Sequence, residues 1–386
     1  MSIDYQLQQQ LDERDIKALY RQRRVVNSPQ GVEVEIDGSH YLSFSSNDYL
    51  GLANHPEIVE AFRQGLSRWG AGSGAAHLVT GHTAAHHALE EELADFLGYP
   101  RTLLFSSGYM ANLGVHQALL GRNDRTIHDR LNHASLLDGA RLSGARLLRY
   151  GHTDIGALEG RMSDSHEGRT LVVTDGVFSM DGDIAPLPGI AGECRCAGAT
   201  LMVDDAHGIG VHGPQGRGTV AKFGLGVAEV PILMGTLGKA FGLSGAFVAG
   251  SEPLIETLIQ QARSYIYTTA TPPAQAEATR MALQLIRDGE DRREQLGELI
   301  NRFREGAAEL GLHLMRSETP IQPLLVGGAE DALQLSTKLQ QQGILVTAIR
   351  PPTVPEDSSR LRITLSANHE DGHVARLLEA LDRCSR

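Results

Sequence analysis

The sequence predicts an α/β protein built on a mostly parallel sheet, and three observations carry that prediction. Beyond Asn47, short apolar runs alternate with helical stretches; the runs place Val, Leu and Ile at consecutive positions; and they recur seven times. Consecutive apolar residues mark strands buried on both faces, as in parallel sheets covered by helices on both sides.

Taken in order, Ile3, Leu7, Leu11, Ile16 and Leu19 recur near helical spacing and predict an amphipathic helix from Ile3 to about Tyr20, ending in Arg21-Gln22-Arg23-Arg24. The alternating segment Gly31 to Gly38, with a turn signal at Asp37-Gly38, predicts a small antiparallel element. The seven buried runs follow at 102–105, 125–128, 146–149, 170–174, 200–203, 231–234 and 245–249. From about Met281 a long helical pattern leads to Glu309, then strand-like segments lie at 321–326, 344–347 and 361–365 with a helix between the first two and another at the end. The expected organisation is an N-terminal segment over 1–46, a large α/β domain over 47–282 and a smaller α+β domain over 283–386.

Composition narrows the function. The 386 residues are 41% hydrophobic and 21% charged, enough for more than one core and unlike a disordered chain. Lys plus Arg number 35 against 47 Asp plus Glu, a net charge of −12 that argues against a general nucleic-acid or membrane-surface binder. Cys194, Cys196 and Cys384 show neither a disulfide framework nor zinc-ligand spacing, so no metal site is expected and a reducing, cytoplasmic compartment fits best. The start Met1-Ser2-Ile3-Asp4 has no basic region leading into an apolar one, and no apolar run reaches the roughly 18 residues of a membrane span. A soluble protein is expected.

Several motifs fail on context. Gly208-Ile-Gly210-Val-His-Gly213 follows a predicted strand and matches a dinucleotide pattern, the basis of an alternative nicotinamide-dependent oxidoreductase reading. Loop composition at Pro214 to Gly218, where a helix should open, weakens it. Gly238-Lys239 lacks the Gly at 233 and the Ser or Thr at 240 of a P-loop, having Leu233 and Ala240 instead. His82, His86 and His87 lie on a helical stretch without the H-E-x-x-H arrangement of a metalloprotease.

A different constellation survives. Only four residues are lysine, Lys17, Lys222, Lys239 and Lys338, and the other 31 basic residues are arginine. Lys239 sits among small and apolar residues in Met234 to Gly242, a setting that penalises its ammonium form and favours a nucleophilic amine. Asp204, Asp205 and His207 follow the run at 200–203, at a strand's carboxyl end where ligands of such sheets bind. Ser106 to Asn112 follows another strand and opens a helix, offering backbone N–H groups to a phosphate.

A Schiff-base lysine, a strand-end Asp and a phosphate cradle are the needs of pyridoxal 5′-phosphate. At these residues the sequence resembles the fold-type-I enzymes and, within them, the α-oxoamine synthases. The resemblance spans nearly the whole chain, including Ser45 to Leu52, Asn132 to Ser135, Asp175 to Asp183, Val203 to Gly208 and Gly235 to Lys239. It implies a fold-type-I transferase, a seven-stranded sheet flanked by helices, and a homodimer with shared active sites. It also implies that an amino acid is condensed with an acyl thioester and carbon dioxide is lost.

Residue by residue, the resemblance implies that Lys239 carries the cofactor and moves the α-proton, that Asp204 pairs with the ring nitrogen, and that His207 and Ser179 bind the phenolic oxygen. It implies that His133 stacks on the ring, and that Gly108, Tyr109 and Thr236 bind phosphate, joined across a dimer interface by Thr268 and Thr269. Arg362 and Asn47 are the implied holders of the amino-acid carboxylate. Arg350 and Thr353, in the proline loop, and Arg21 are further substrate positions. That loop, with Arg360 to Thr364, is most like the branch that joins L-alanine to pimeloyl-CoA or a pimeloyl acyl-carrier protein. The glycine-using branches, 5-aminolevulinate synthase and 2-amino-3-ketobutyrate CoA ligase, are the alternative.

Overall fold

The computed structural model describes residues 2–17 and 19–385, so Met1, and Ala18 within the expected N-terminal helix, lie outside the described residues. The chain forms two compact units, one of residues 1–46, 180–182 and 295–386, the other of 47–179 and 183–294.

In the first unit, strands β1 (Glu33–Ile36) and β2 (Ser39–Ser43) pair antiparallel across Asp37 and Gly38. Both turn residues have positive φ, 51° and 74°, the conformation that a two-residue hairpin with native twist demands. The N-terminal helix covers Ile3–Ile16 and buries none of its residues. The expected amphipathic face does not form: at 3.6 residues per turn Ile16 falls opposite Leu7, and Ile3, Leu7, Leu11 and Ile16 all stay exposed.

The second unit holds strands β3 (Arg101–Phe105), β4 (Arg125–Asp129), β5 (Arg146–Tyr150), β6 (Thr170–Asp175), β7 (Thr200–Asp204), β8 (Ile232–Thr236) and β9 (Ala246–Gly250). They form one sheet in the order β3-β9-β8-β7-β6-β4-β5, in which only β9 runs antiparallel to its neighbours. All seven predicted runs are these seven strands. One core holds Leu103, Val173, Met202, Ile232 and Val248, each at most 1% exposed. The first unit is completed by β10 (Ile321–Gly327), β11 (Ile344–Leu345), β12 (Thr347–Ile349) and β13 (Ser359–Thr364), where β13 lies between β10 and β12 and β11 runs parallel to β2. Among the described residues no helix is long and apolar enough to cross a membrane.

One ionic clamp ties the ends of the large sheet. His152, beyond β5, places Nδ1 3.0 Å from Asp129 Oδ1 and Nε2 2.9 Å from Asp183 Oδ2. Burial alone would lower its pKa, but the two carboxylates outweigh it and raise the imidazole to about 10. A pKa raised on folding stabilises fully below the unfolded histidine value and is lost as pH climbs through the folded one. His152→Gln is therefore expected to destabilise the protein by about 1–3 kcal/mol at pH 6 and far less at pH 10, measured by urea unfolding at both. An equal deficit at both pH values contradicts a charged clamp.

Candidate active site

The chemistry-bearing residues of the second unit collect at the carboxyl ends of β4, β6, β7 and β8. Asp175 and Asp204 end β6 and β7, His133 follows β4 as the N-cap of helix Ala134–Ser143, and Lys239 lies three residues past β8. Parallel strands bring these ends together; the loops beyond them supply the side chains.

Asp204 is 3% exposed. Its Oδ2 accepts a 2.8 Å hydrogen bond from Asn112 Nδ2 and its Oδ1 accepts from the Ala206 N–H at 3.1 Å. Asn112 also donates to Ser135 Oγ at 2.9 Å, and that hydroxyl lies 2.7 Å from His133 Nδ1. The His133 N–H donates to Asp175 Oδ2 at 2.8 Å. One polar network thus joins the ends of three strands. Burial first, and the Asp204 charge second, push the Asp175 carboxyl well above the usual carboxylate range. His133 is exposed, yet the protein around it keeps its imidazole below the usual histidine value, with Lys239 adding to the effect and Asp204 opposing it.

A second chain of contacts runs through Lys239. Its Nζ lies 2.7 Å from His207 Nε2, His207 Nδ1 lies 2.7 Å from Tyr49 Oη, and Tyr49 Oη donates to Asn47 Oδ1 at 3.2 Å. With Lys239 as donor, the neutral ring carries its proton on Nδ1 and donates to Tyr49, so the four side chains form one directed relay. Lys239 is half-buried rather than buried as the sequence suggested, because it projects from the loop between β8 and β9.

The remaining predicted positions divide by unit. Gly108 and Tyr109 open helix Gly108–Leu119, whose N-cap Ser107 accepts from the Met110 N–H at 3.3 Å. Helix geometry gives the Gly108 and Tyr109 N–H groups no intrahelical acceptor, so they suit an anion. The Tyr109 hydroxyl bonds Asp138. Thr236 Oγ1 donates to Gly245 O at 3.1 Å, and Ser179 is half-buried. Thr268 and Thr269 lie on a separate segment, where Thr269 pairs with Ala76. In the first unit Arg362 is 7% exposed on β13, Thr353 is exposed, and Arg350 is half-buried. Burial and the neighbouring charge of Arg21 hold the Arg350 guanidinium below its usual range. Arg21 to Arg24 line a surface groove with Tyr20 and Val25.

The segment Gly208 to Gly213 forms turns and leads to a three-residue 3₁₀ turn, so the dinucleotide motif has no helix to open. Its first glycine serves packing. A Cβ at Gly208 would lie 2.0 Å from Asp205 Oδ1, one at Gly176 2.4 Å from the same oxygen, and one at Gly218 2.1 Å from Oδ2. Asp205 accepts from Thr219 N–H at 2.6 Å and Thr219 Oγ1 at 2.8 Å, and burial raises its carboxyl to about 7. Gly208→Ala is expected to destabilise the protein by about 1–3 kcal/mol through overpacking. An unchanged urea midpoint contradicts this close fit.

These side chains fit the pyridoxal 5′-phosphate that the sequence resemblance implies. Asn112 and the Ala206 N–H fix the buried Asp204 carboxylate, Lys239 supplies an amine at the same end of the sheet, and the helix that carries Asn112 opens with N–H groups that have no intrahelical acceptor.

Comparisons with known proteins agree. The family Aminotransferase class I and II matches residues 39–381. The 8-amino-7-oxononanoate synthase of Nitrosococcus oceani is 62% identical over 372 residues, 96% of this chain and 99% of that protein. A solved structure of serine palmitoyltransferase with its PLP internal aldimine superposes with a TM-score of 0.94 at 28% identity, covering 100% of this chain and 99% of that one. The 8-amino-7-oxononanoate synthase of Francisella tularensis superposes with a TM-score of 0.79 at 34% identity, covering 89% and 97%.

Proposed function

The chain belongs to the aminotransferase class I and II family and, within it, to the 8-amino-7-oxononanoate synthases, and on that membership we propose that it condenses L-alanine with a pimeloyl thioester, releasing carbon dioxide and the free thiol carrier, in biotin synthesis. The observation that carries this reading is the Lys239–His207–Tyr49–Asn47 relay set beside a buried Asp204. Pyridoxal 5′-phosphate, when bound, supplies a carbonyl for the Lys239 amine and a ring that takes up the negative charge left at the amino acid's Cα.

The chain's own residues do the rest. Asp204 would take the ring nitrogen of the cofactor and keep a proton there, held in place by Asn112 and the Ala206 N–H. His207 and Ser179 would hold the phenolic oxygen, and His133 would cover the ring. The Gly108 and Tyr109 N–H groups and Thr236 would hold the phosphate, and Thr268 and Thr269 would complete that site across a homodimer interface. Lys239 Nζ takes the Cα proton and later returns one, with His207 steadying its amine. Asn47 in the second unit and Arg362 in the first are the candidate holders of the alanine carboxylate, and Arg350, Thr353 and Arg21 of the first unit would serve the acyl substrate. The Arg21–Arg24 groove suits the phosphates of CoA or the acidic surface of an acyl-carrier protein. Free Cys194, Cys196 and Cys384 fit a cytoplasmic enzyme.

The test is thiol release from pimeloyl-CoA by the PLP-loaded protein, with the amino product weighed by mass spectrometry. L-alanine is expected to support release and glycine to support little; faster release with glycine moves the chain to a glycine-using reaction.

A further inference from the structure

Away from Lys239, the fold gathers histidines that sequence spacing alone leaves unconnected. The five-residue π-helical turn His77–Gly81 folds back so that His77 Nδ1 lies 3.0 Å from His82 Nδ1. Helix Ala84–Leu97 then presents His87 and Glu90, three positions apart and so neighbours on its surface. A ring nitrogen of His82, one of His87 and a Glu90 carboxylate oxygen all lie within 4.8 Å of one another.

His86, though adjacent, is already committed: its Nδ1 accepts from the Thr83 N–H at 3.1 Å, and its Nε2 donates to Thr271 O at 2.8 Å. Glu90 is not. Its Oε1 accepts from the Leu104 N–H at 2.9 Å, but its Oε2 faces His82 Nε2 at 3.9 Å. The nearby cation, Arg101, bonds instead to Glu252 and Glu256 at 2.6 and 2.5 Å.

We propose that His82 Nε2, His87 and Glu90 Oε2 bind a divalent transition-metal ion of the zinc class at a site separate from Lys239, with His77 orienting His82. Zinc takes imidazole and carboxylate at about 2.0–2.2 Å in a tetrahedron, which sets ligand atoms about 3.4 Å apart, so the 3.9 Å His82–Glu90 pair must close by about half an ångström and any pair near the 4.8 Å limit by more. His87 is 63% exposed at its side chain and open to arriving ions; its Nε2 lies 3.4 Å from Glu91 Oε1, an exposed pair that a metal would displace. When His82 Nδ1 donates its proton to His77 Nδ1, Nε2 is left as a lone pair, as the second ring nitrogen of a metal-bound histidine requires. His77 is itself held by stacking on Tyr265 at 5.1 Å.

The test titrates Co²⁺, then Zn²⁺, into tag-free, chelator-stripped holoenzyme. The native chain is expected to bind one Co²⁺ with the visible bands of tetrahedral coordination, displaced by Zn²⁺. His87→Ala and Glu90→Gln are each expected to weaken binding by about tenfold or more, and His40→Ala, at an exposed histidine of the other unit, to leave it unchanged. Glu90→Gln keeps the acceptor for Leu104, and His87→Ala alters an exposed side chain, so both variants should fold; circular dichroism checks this. Absence of stoichiometric binding by the native chain, or equal binding by all three variants, overturns the proposal.

Discussion

Lys239→Ala is expected to end thiol release from pimeloyl-CoA, lowering turnover by at least about 10³-fold, the scale on which a positioned proton-transferring nucleophile acts. The chain still folds, because Lys239 is half-buried on a loop and anchors no core. Two signatures distinguish this loss from general damage. The visible absorbance of lysine-bound cofactor disappears, and the unfolding free energy from urea titration stays within about 1 kcal/mol of the native protein's, as for most substitutions outside the core. Lys239→Arg is expected to be equally inactive: it keeps the positive charge near His207 but supplies no neutral amine. Native activity in either variant contradicts the assigned role.

Asp204→Asn is expected to cost about 10²–10³ in turnover, the scale of one lost electrostatic partner at a site of developing charge. Its effect on stability runs the other way. Asp204 and Asp175 end adjacent parallel strands and are paired in register, and the Asp204 charge helps to push the Asp175 carboxyl well above its usual range. Removing that charge relieves a buried like-charge conflict, which offsets the hydrogen bond that the new amide nitrogen cannot accept from Asn112 or Ala206, so the variant should unfold at an equal or higher urea concentration. A carboxylate kept against the interest of stability is one kept for its chemistry. A variant that is both active and less stable contradicts this account; activity is read by thiol release and stability by urea unfolding.

The sheet was legible because its strands are short consecutive apolar runs, and each predicted run is a strand of the large sheet to within two residues. The hairpin was legible because Asp37-Gly38 is a turn sequence and both residues adopt positive φ. The N-terminal helix was legible as a helix, but its burial was not: Ile16 sits opposite Leu7, and no core meets either. Lys239 stood out through the scarcity of lysine, and Asp204 through its place at a strand end. What supports them did not stand out. Asn112 reaches Asp204 across 92 residues and Tyr49 reaches His207 across 158, and both contacts depend on the strand order β8-β7-β6-β4. An apolar run shows that a strand is buried but not which strand lies beside it. Tyr49 and Asn112 were visible only as a tyrosine and an asparagine among small residues; the sole hint of Asn112 was its position one turn into a helix that follows a strand. The histidine cluster was hidden for the same reason, since the turn at His77–Gly81 brings His77 to His82.

The most direct test of the active-site account reduces the PLP-loaded protein with borohydride, digests it and weighs the peptides. With only four lysines in the chain, the result is unambiguous: the pyridoxyl phosphate mass is expected on the peptide holding Lys239 and on no other. Adduct on Lys17, Lys222 or Lys338 instead, or on no lysine, contradicts the account.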